Sequence, residues 1–136
     1  MGYQMVKITK QPISPELIID MVKTDTSGCI VTYVGLIRDH SQGKPVLSVG
    51  YTDADGKARE RLQEIVTEAR KKWQINDMAM HHRIDELKVG DINLVVAVAS
   101  AHRKEGFAAC QYAIDQFKKK LPTQKKETYQ DGSTLF

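Results

Sequence analysis

The chain has 136 residues and a mass of 15.3 kDa, with 41% hydrophobic and 27% charged residues and a net charge of +3 from 20 Lys+Arg against 17 Asp+Glu. That length and balance predict one domain over residues 1–136, large enough for a core without disulfide staples, and exclude wholesale disorder, collagen-like repeats and a disulfide scaffold. The apolar runs are short and broken by charge, and Met1 to Lys10 has no apolar stretch with a small-residue cleavage site, so neither a membrane span nor a secretory leader is expected.

Residues Tyr3 to Thr9 read as a short strand. Ser14 is a good N-cap and Pro15 suits the first helical position; Leu17, Ile18, Met21 and Val22 then give a short helix one apolar side. Cys29 to Ile37 is rich in β-branched and aromatic residues and reads as a buried strand. It runs into a polar loop, Arg38 to Pro45, followed by a strand from Val46 to Thr52 and a turn at Asp53 to Gly56. Ala58, Leu62, Ile65, Val66, Ala69 and Trp73 then recur at helical spacing, predicting an amphipathic helix of about four turns. Met78 to Ile84 and Ile92 to Ala99 are two further strands, joined by a linker, Asp85 to Asp91. A last helix carries an apolar stripe of Phe107, Cys110, Ile114, Phe117 and Leu121, stops at Pro122 and leads into a tail from Thr123 to Phe136. Mixed hairpins and crossovers favour an α+β fold, a mostly antiparallel sheet with packed helices.

The charge excess is too small to demand nucleic acid, and its placement says more. Five lysines fall between Lys118 and Lys126. An anionic small molecule, an acidic tail or nucleic acid are each compatible with such a cluster, but no aromatic residue interleaves these lysines, as a single-strand binder requires. Lys118 lies near the end of the last helix and Lys125 three residues past Pro122. A helix that stops and turns back can bring the two amines together, where a partly desolvated lysine serves as acid/base or nucleophile. A solvated run complementing a helix C-terminus is the plainer alternative.

Ser100-Ala-His102-Arg103 stands at a strand-to-helix junction, where helix N–H groups collect anions. An arginine there offers a planar fork to phosphate, and a histidine can move a proton near neutrality; a capping serine with two solvated neighbours is the alternative. Gly35-Leu36-Ile37-Arg38-Asp39-His40 adds a second arginine at a strand end. His81 and His82 are adjacent in a strand, point to opposite faces and read as structural histidines rather than a metal pair. Cys29 and Cys110 form no C-x-x-C or Cys/His cluster, so two reduced thiols are expected and no metal site.

Taken in order, the blocks Gly28 to His40, His82 to Asp91, Ser100 to Ala109 and Lys118-x-x-x-Pro122-x-x-Lys125-Lys126-Glu127 resemble the catalytic (large) subunit of molybdopterin synthase, over about Met5 to Gly132. The resemblance implies an α/β-hammerhead fold, a cytoplasmic homodimer, and a heterotetramer with one small ubiquitin-like sulfur-carrier subunit per protomer. The carrier's C-terminal Gly-Gly thiocarboxylate enters a pocket of the large subunit. Its sulfur passes to cyclic pyranopterin monophosphate and builds the molybdopterin dithiolene, with no cofactor, nucleic acid or membrane involved. By motif match, Lys118 and Lys125 fall on the catalytic lysines, and Leu36, Ile37, Arg38, His102, Arg103, Lys126 and Glu127 on substrate-binding positions. The chain ends in Thr-Leu-Phe136 rather than Gly-Gly, which separates it from the carrier. It departs from the family pattern at Gln124, where an aromatic is usual, at Gly50, where a Glu is usual, and at Leu135 in a short tail, where a Trp is usual. Those departures favour, as the alternative activity, a non-catalytic or weakly active member that binds the carrier tail or an anion.

Overall fold

In the computed structural model, which describes residues 4–136, two β-sheets and three helices follow the order β1 (Val6–Thr9), α1 (Pro15–Val22), β2 (Cys29–Leu36), β3 (His40–Ser41), β4 (Lys44–Thr52), α2 (Ala58–Lys72), β5 (Asp77–Arg83), β6 (Asp85–Lys88), β7 (Ile92–Ser100), α3 (Arg103–Lys119), β8 (Gln124–Tyr129) and β9 (Thr134–Leu135). Tyr3, the first residue of the predicted opening strand, lies outside the described residues. Every other predicted strand and helix is present. Three short strands are additional, β3 inside the polar loop, β6 inside the linker and β9 in the tail behind β8.

The first sheet has the order β1-β5-β7-β2; β5–β7 and β7–β2 are antiparallel and β1–β5 is parallel. Its centre is β7, whose apolar run is continuous because both faces are covered. Leu94, Val96 and Val98 pack with Leu62, Val66, Ala69, Cys110 and Phe117 under α2 and α3. Val95, Ala97 and Ala99 alternate to the other face and meet Ile18 and Val22 of α1. Each of the larger aliphatic side chains contributes about 1.5–3 kcal/mol by leaving water.

The second sheet is built on β4, which pairs with β3, β6 and β8, while β9 adds to β8. Ile37, Val46, Val49, Tyr51, Leu87 and Tyr129 form its own apolar cluster. The β3–β4 hairpin closes through Gln42 and Gly43, both at positive φ, the geometry a two-residue turn needs to match strand twist. Facing Gly50 is Glu86 of β6.

Two local expectations change. Ser14 occupies the N-cap of α1, but its side chain makes no capping bond. Phe107 is 62% exposed; the core face of α3 runs through Gly106, Ala109, Cys110, Ala113 and Phe117, so Phe107 points away from the sheet.

Gly28 pins the start of β2 against the end of β7. Its N–H donates to the Ser100 carbonyl at 2.9 Å, and a Cβ there would lie 2.2 Å from the Ala101 carbonyl oxygen. Backbone must therefore move to admit a methyl group. Gly28→Ala is expected to destabilise the fold by about 1–3 kcal/mol, read as a lowered urea midpoint at constant m; an unchanged midpoint would show that the junction yields freely.

Candidate active site

One cleft of about 310 Å3 lies where the two sheets meet the C-terminal end of α3. Leu36, Ile37 and Arg38 enter it from the end of β2, Lys118 from the last turn of α3, and Lys125 and Glu127 from β8. His40, Ser41, Tyr51, Asn93, Phe117 and Leu121 line the remainder, together with Val46 and Val49.

Local chain geometry explains each contribution. The register between β2 and β7 shifts at Gly35/Leu36, and such a bulge re-aims the strand end. Ile37 is then buried while Leu36 is 56% exposed, and Ile37 is held from both sides by Ile37 N–H to Asp91 O at 3.0 Å and Gly90 N–H to Ile37 O at 2.9 Å. Gly35 itself leaves room for the Asn93 side chain, since a Cβ would sit 2.7 Å from Asn93 Oδ1. Pro122 follows α3, and the chain returns as β8 antiparallel to β4, with Lys125 opposite Tyr51. Alternation along β8 aims Lys125 and Glu127 into the cleft and Lys126 away from it, where Lys126 Nζ lies 5.7 Å from the Phe136 ring centroid.

Glu127 is buried and fully engaged. Its Oε1 accepts hydrogen bonds from Ser41 Oγ at 2.8 Å and Tyr129 OH at 2.7 Å, and Oε2 is 3.4 Å from Lys125 Nζ. Burial alone would raise the carboxyl; the Tyr129 and Ser41 hydrogen bonds and the Lys125 charge outweigh it and hold Glu127 below the usual carboxylate range. The site is therefore electropositive at Arg38, Lys118 and Lys125, with one anchored carboxylate fixing the second lysine. It suits an anionic ligand whose own charge meets the amines.

His102 and Arg103 do not join this cleft within the chain. They line a separate hollow with Gly28, Cys29, Ala101 and Lys104 at the N-terminus of α3. α3 has 17 residues, so its two ends are about 25 Å apart. His102 is the N-cap residue and forms no side-chain cap bond. Ser100 is fully buried and donates to the His102 carbonyl at 2.7 Å, which makes it a brace for the junction rather than a helix cap.

Neither cysteine is paired. Burial pushes the Cys110 thiol up to about 11, which leaves it inert near neutrality. Among the described residues, no group of three or more His, Cys, Asp or Glu side chains could hold a metal ion, and no helix is long and apolar enough to cross a membrane. Ser41, Tyr51, Asn93 and Tyr129 are site features that the sequence alone did not single out. The hairpin signal Ser41-Gln42-Gly43-Lys44 and the alternation of Val49-Gly50-Tyr51 are the cues that point to two of them.

The family model described as MoaE protein matches residues 8–120. A molybdopterin synthase catalytic subunit of Nostoc sp. is 40% identical over 130 residues, covering 95% of this chain and 79% of the relative. The crystal structure of molybdopterin synthase from Staphylococcus aureus superposes with a TM-score of 0.90 at 29% identity, covering 99% of each chain. A complex of subunits 1 and 2 of molybdopterin-converting factor from Helicobacter pylori shares the fold, with a TM-score of 0.77 at 12% identity over 98% of this chain and 90% of that one. The family-model match over residues 8–120, with 40% identity to a catalytic subunit across 95% of the chain, places this chain in the MoaE protein family, the family of molybdopterin synthase catalytic subunits.

Proposed function

We propose that this chain is the sulfur-transferring subunit of a molybdopterin synthase. It takes sulfur from the thiocarboxylate of a small ubiquitin-like carrier and delivers it to cyclic pyranopterin monophosphate, forming the dithiolene. The observation that carries this reading is the convergence of Lys118 and Lys125 in one cleft beside Arg38. Both reactants bring negative charge to that place, a carrier tail ending in a thiocarboxylate and a cyclic phosphate. Cys110 is buried and inert, which suits a sulfur supplied from outside. The complex formed by the Helicobacter pylori relatives supports a small-subunit partner, and the chemistry belongs in the cytoplasm.

Lys125, braced by Glu127, is the amine nearest the incoming thiocarboxylate, and Lys118 supplies a second positive charge. Arg38 holds the phosphate. Leu36 and Ile37 provide the wall along which a Gly-Gly tail, free of side chains, slides inward. His102, Arg103 and Lys126 face elsewhere in the single chain, so their binding role belongs to a homodimer in which one protomer's α3 N-terminus approaches the other's cleft. The exposed Val34 and Leu36 on the edge strand β2 give such a pairing apolar surface to cover.

Incubation with a thiocarboxylated carrier and cyclic pyranopterin monophosphate is expected to yield the dithiolene product, and absence of product from folded protein would overturn the reading. The shared site has its own test. Lys125→Ala and Arg103→Ala chains are each expected to be inactive as homodimers. Co-expressed, they are expected to recover about a quarter of parent activity, because half of the dimers are mixed and each of those carries one intact site. Parent-like turnover in the Arg103→Ala homodimer would place Arg103 outside the reaction, and no recovery from mixed dimers would overturn the shared site.

A further inference from the structure

His82 on β5 is fully buried and touches four other parts of the fold. Its Nδ1 is 2.8 Å from the Asn93 carbonyl oxygen on β7. Its Nε2 is 2.9 Å from Thr123 Oγ1 in the segment between α3 and β8. Its ring meets the Phe117 ring of α3 edge-on at 4.9 Å and the Tyr51 ring of β4 edge-on at 4.9 Å. Asn93 in turn donates from Nδ2 to Tyr51 OH at 2.9 Å.

The neighbours of this one imidazole are the neighbours of the two lysines. Phe117 precedes Lys118 on α3, Thr123 stands two residues before Lys125, and Tyr51 is the cross-strand partner of Lys125. A carbonyl oxygen only accepts, so Nδ1 carries the proton, and Nε2 is left with a lone pair that accepts from the Thr123 hydroxyl. One tautomer therefore satisfies both contacts at once.

We propose that His82 is a positioning residue for Lys125: its Nδ1-protonated imidazole holds the Thr123 hydroxyl and fixes where the return segment after α3 presents the Lys125 amine opposite Lys118. The proposal rests on the reading of Lys118 and Lys125 as the reacting amines. Its physical basis is that α3 ends at Lys119 and β8 pairing starts at Gln124, so the intervening turn depends on side-chain contacts for its placement. Loss of a ~1 Å fit at a reacting group costs up to about a hundredfold in rate.

Burial keeps His82 neutral, lowering it to about 4 against the opposing pull of the Asn93 carbonyl, so the same tautomer persists across the working pH range.

The test compares Thr123→Val, which keeps the shape and removes the hydroxyl, with Thr123→Ser, which keeps the hydroxyl. The parent carrier and cyclic pyranopterin monophosphate are the substrates, and rates are expressed per folded molecule. Thr123→Val is expected to lower kcat by at least about tenfold with KM for the cyclic phosphate unchanged, and Thr123→Ser is expected to restore kcat to within about twofold of the parent. Parent-like kcat in Thr123→Val, or an equal loss in Thr123→Ser, would overturn the proposal. Nitrogen-15 spectra of the parent protein give a second reading that needs no variant. They are expected to show His82 neutral with the proton on Nδ1 near pH 7, and an Nε2-protonated or doubly protonated ring would overturn the assignment. Lys125→Ala separates the two levels. If it retains turnover, the lysine reading fails and the positioning role with it; if it is inactive while Thr123→Val turns over normally, only the positioning role fails.

Discussion

Lys125→Ala is expected to reduce dithiolene formation by roughly 10²–10⁴-fold, the range for removing a positioned acid/base group, while leaving carrier docking and the fold in place. The size of the effect follows from where the amine is held. Lys125 projects from β8 where it pairs with β4, opposite Tyr51, with its Nζ 3.4 Å from a buried carboxylate that two hydroxyls immobilise. Lys118 projects from the last turn of α3 and is exposed, so the fold offers it fewer constraints. Lys118→Ala is accordingly expected to lose less activity than Lys125→Ala. The Lys125 side chain is 44% exposed, so its removal is expected to change stability by no more than about 0.5 kcal/mol. Single-turnover assays with thiocarboxylated carrier, beside a thermal melt of each variant, separate the two quantities. Near-parent turnover in Lys125→Ala would remove this lysine from the chemistry and favour a member that binds the carrier tail without efficient transfer.

Much of this site was legible in the sequence because the residues that build it lie next to strong punctuation. Pro122 forces the chain off α3, and the alternation of Lys125 and Glu127 about Lys126 follows from strand period alone. The central strand was legible for a related reason: an unbroken Val/Ala run belongs where both faces are covered, and α1 and α3 cover β7 from opposite sides. What stayed hidden depends on pairing between distant segments. Ser41 reaches Glu127 across 86 positions, and β6 exists because β4 offers it a partner, not because Asp85-Glu-Leu-Lys88 has strong strand character. Arg38 and His102–Arg103 stand apart within the chain for a topological reason. Antiparallel pairing sets Leu36 opposite Ile92 and Cys29 opposite Ser100, so Arg38 and His102 leave opposite ends of the same strand pair. The stripe on α3 was misread by one position, since Gly106 and Ala109 have no apolar bulk to advertise a buried face, whereas the exposed Phe107 does.

Acidification is expected to weaken the fold between about pH 6.5 and pH 4, with His82 as the main source. Buried, His82 titrates at about 4 rather than 6.5. In that interval the unfolded chain holds a proton on this residue that the native chain does not, so stability rises with pH through the window and falls as pH is lowered. Below about 4 both states are protonated, and His82 adds no further slope. The full span is on the order of 3 kcal/mol, a large share of the stability of a single domain. His81, on the opposite face, donates from Nε2 to the Gln4 carbonyl oxygen at 2.8 Å; it is also lowered by burial and adds in the same sense. Glu127 acts in a lower window: its depressed carboxyl stabilises the fold above the ordinary carboxylate range and loses that contribution as pH falls through its folded-state value. Urea unfolding of the parent at pH 7, 6, 5 and about 4.5 measures the slope. His82→Gln, which cannot take up a proton, is expected to start lower at pH 7, where it lacks the fit to Thr123 and Asn93, and to lose less on acidification, so that the two curves draw together toward about pH 4. Parallel curves would show that another group carries the acid sensitivity and that His82 titrates normally inside the fold.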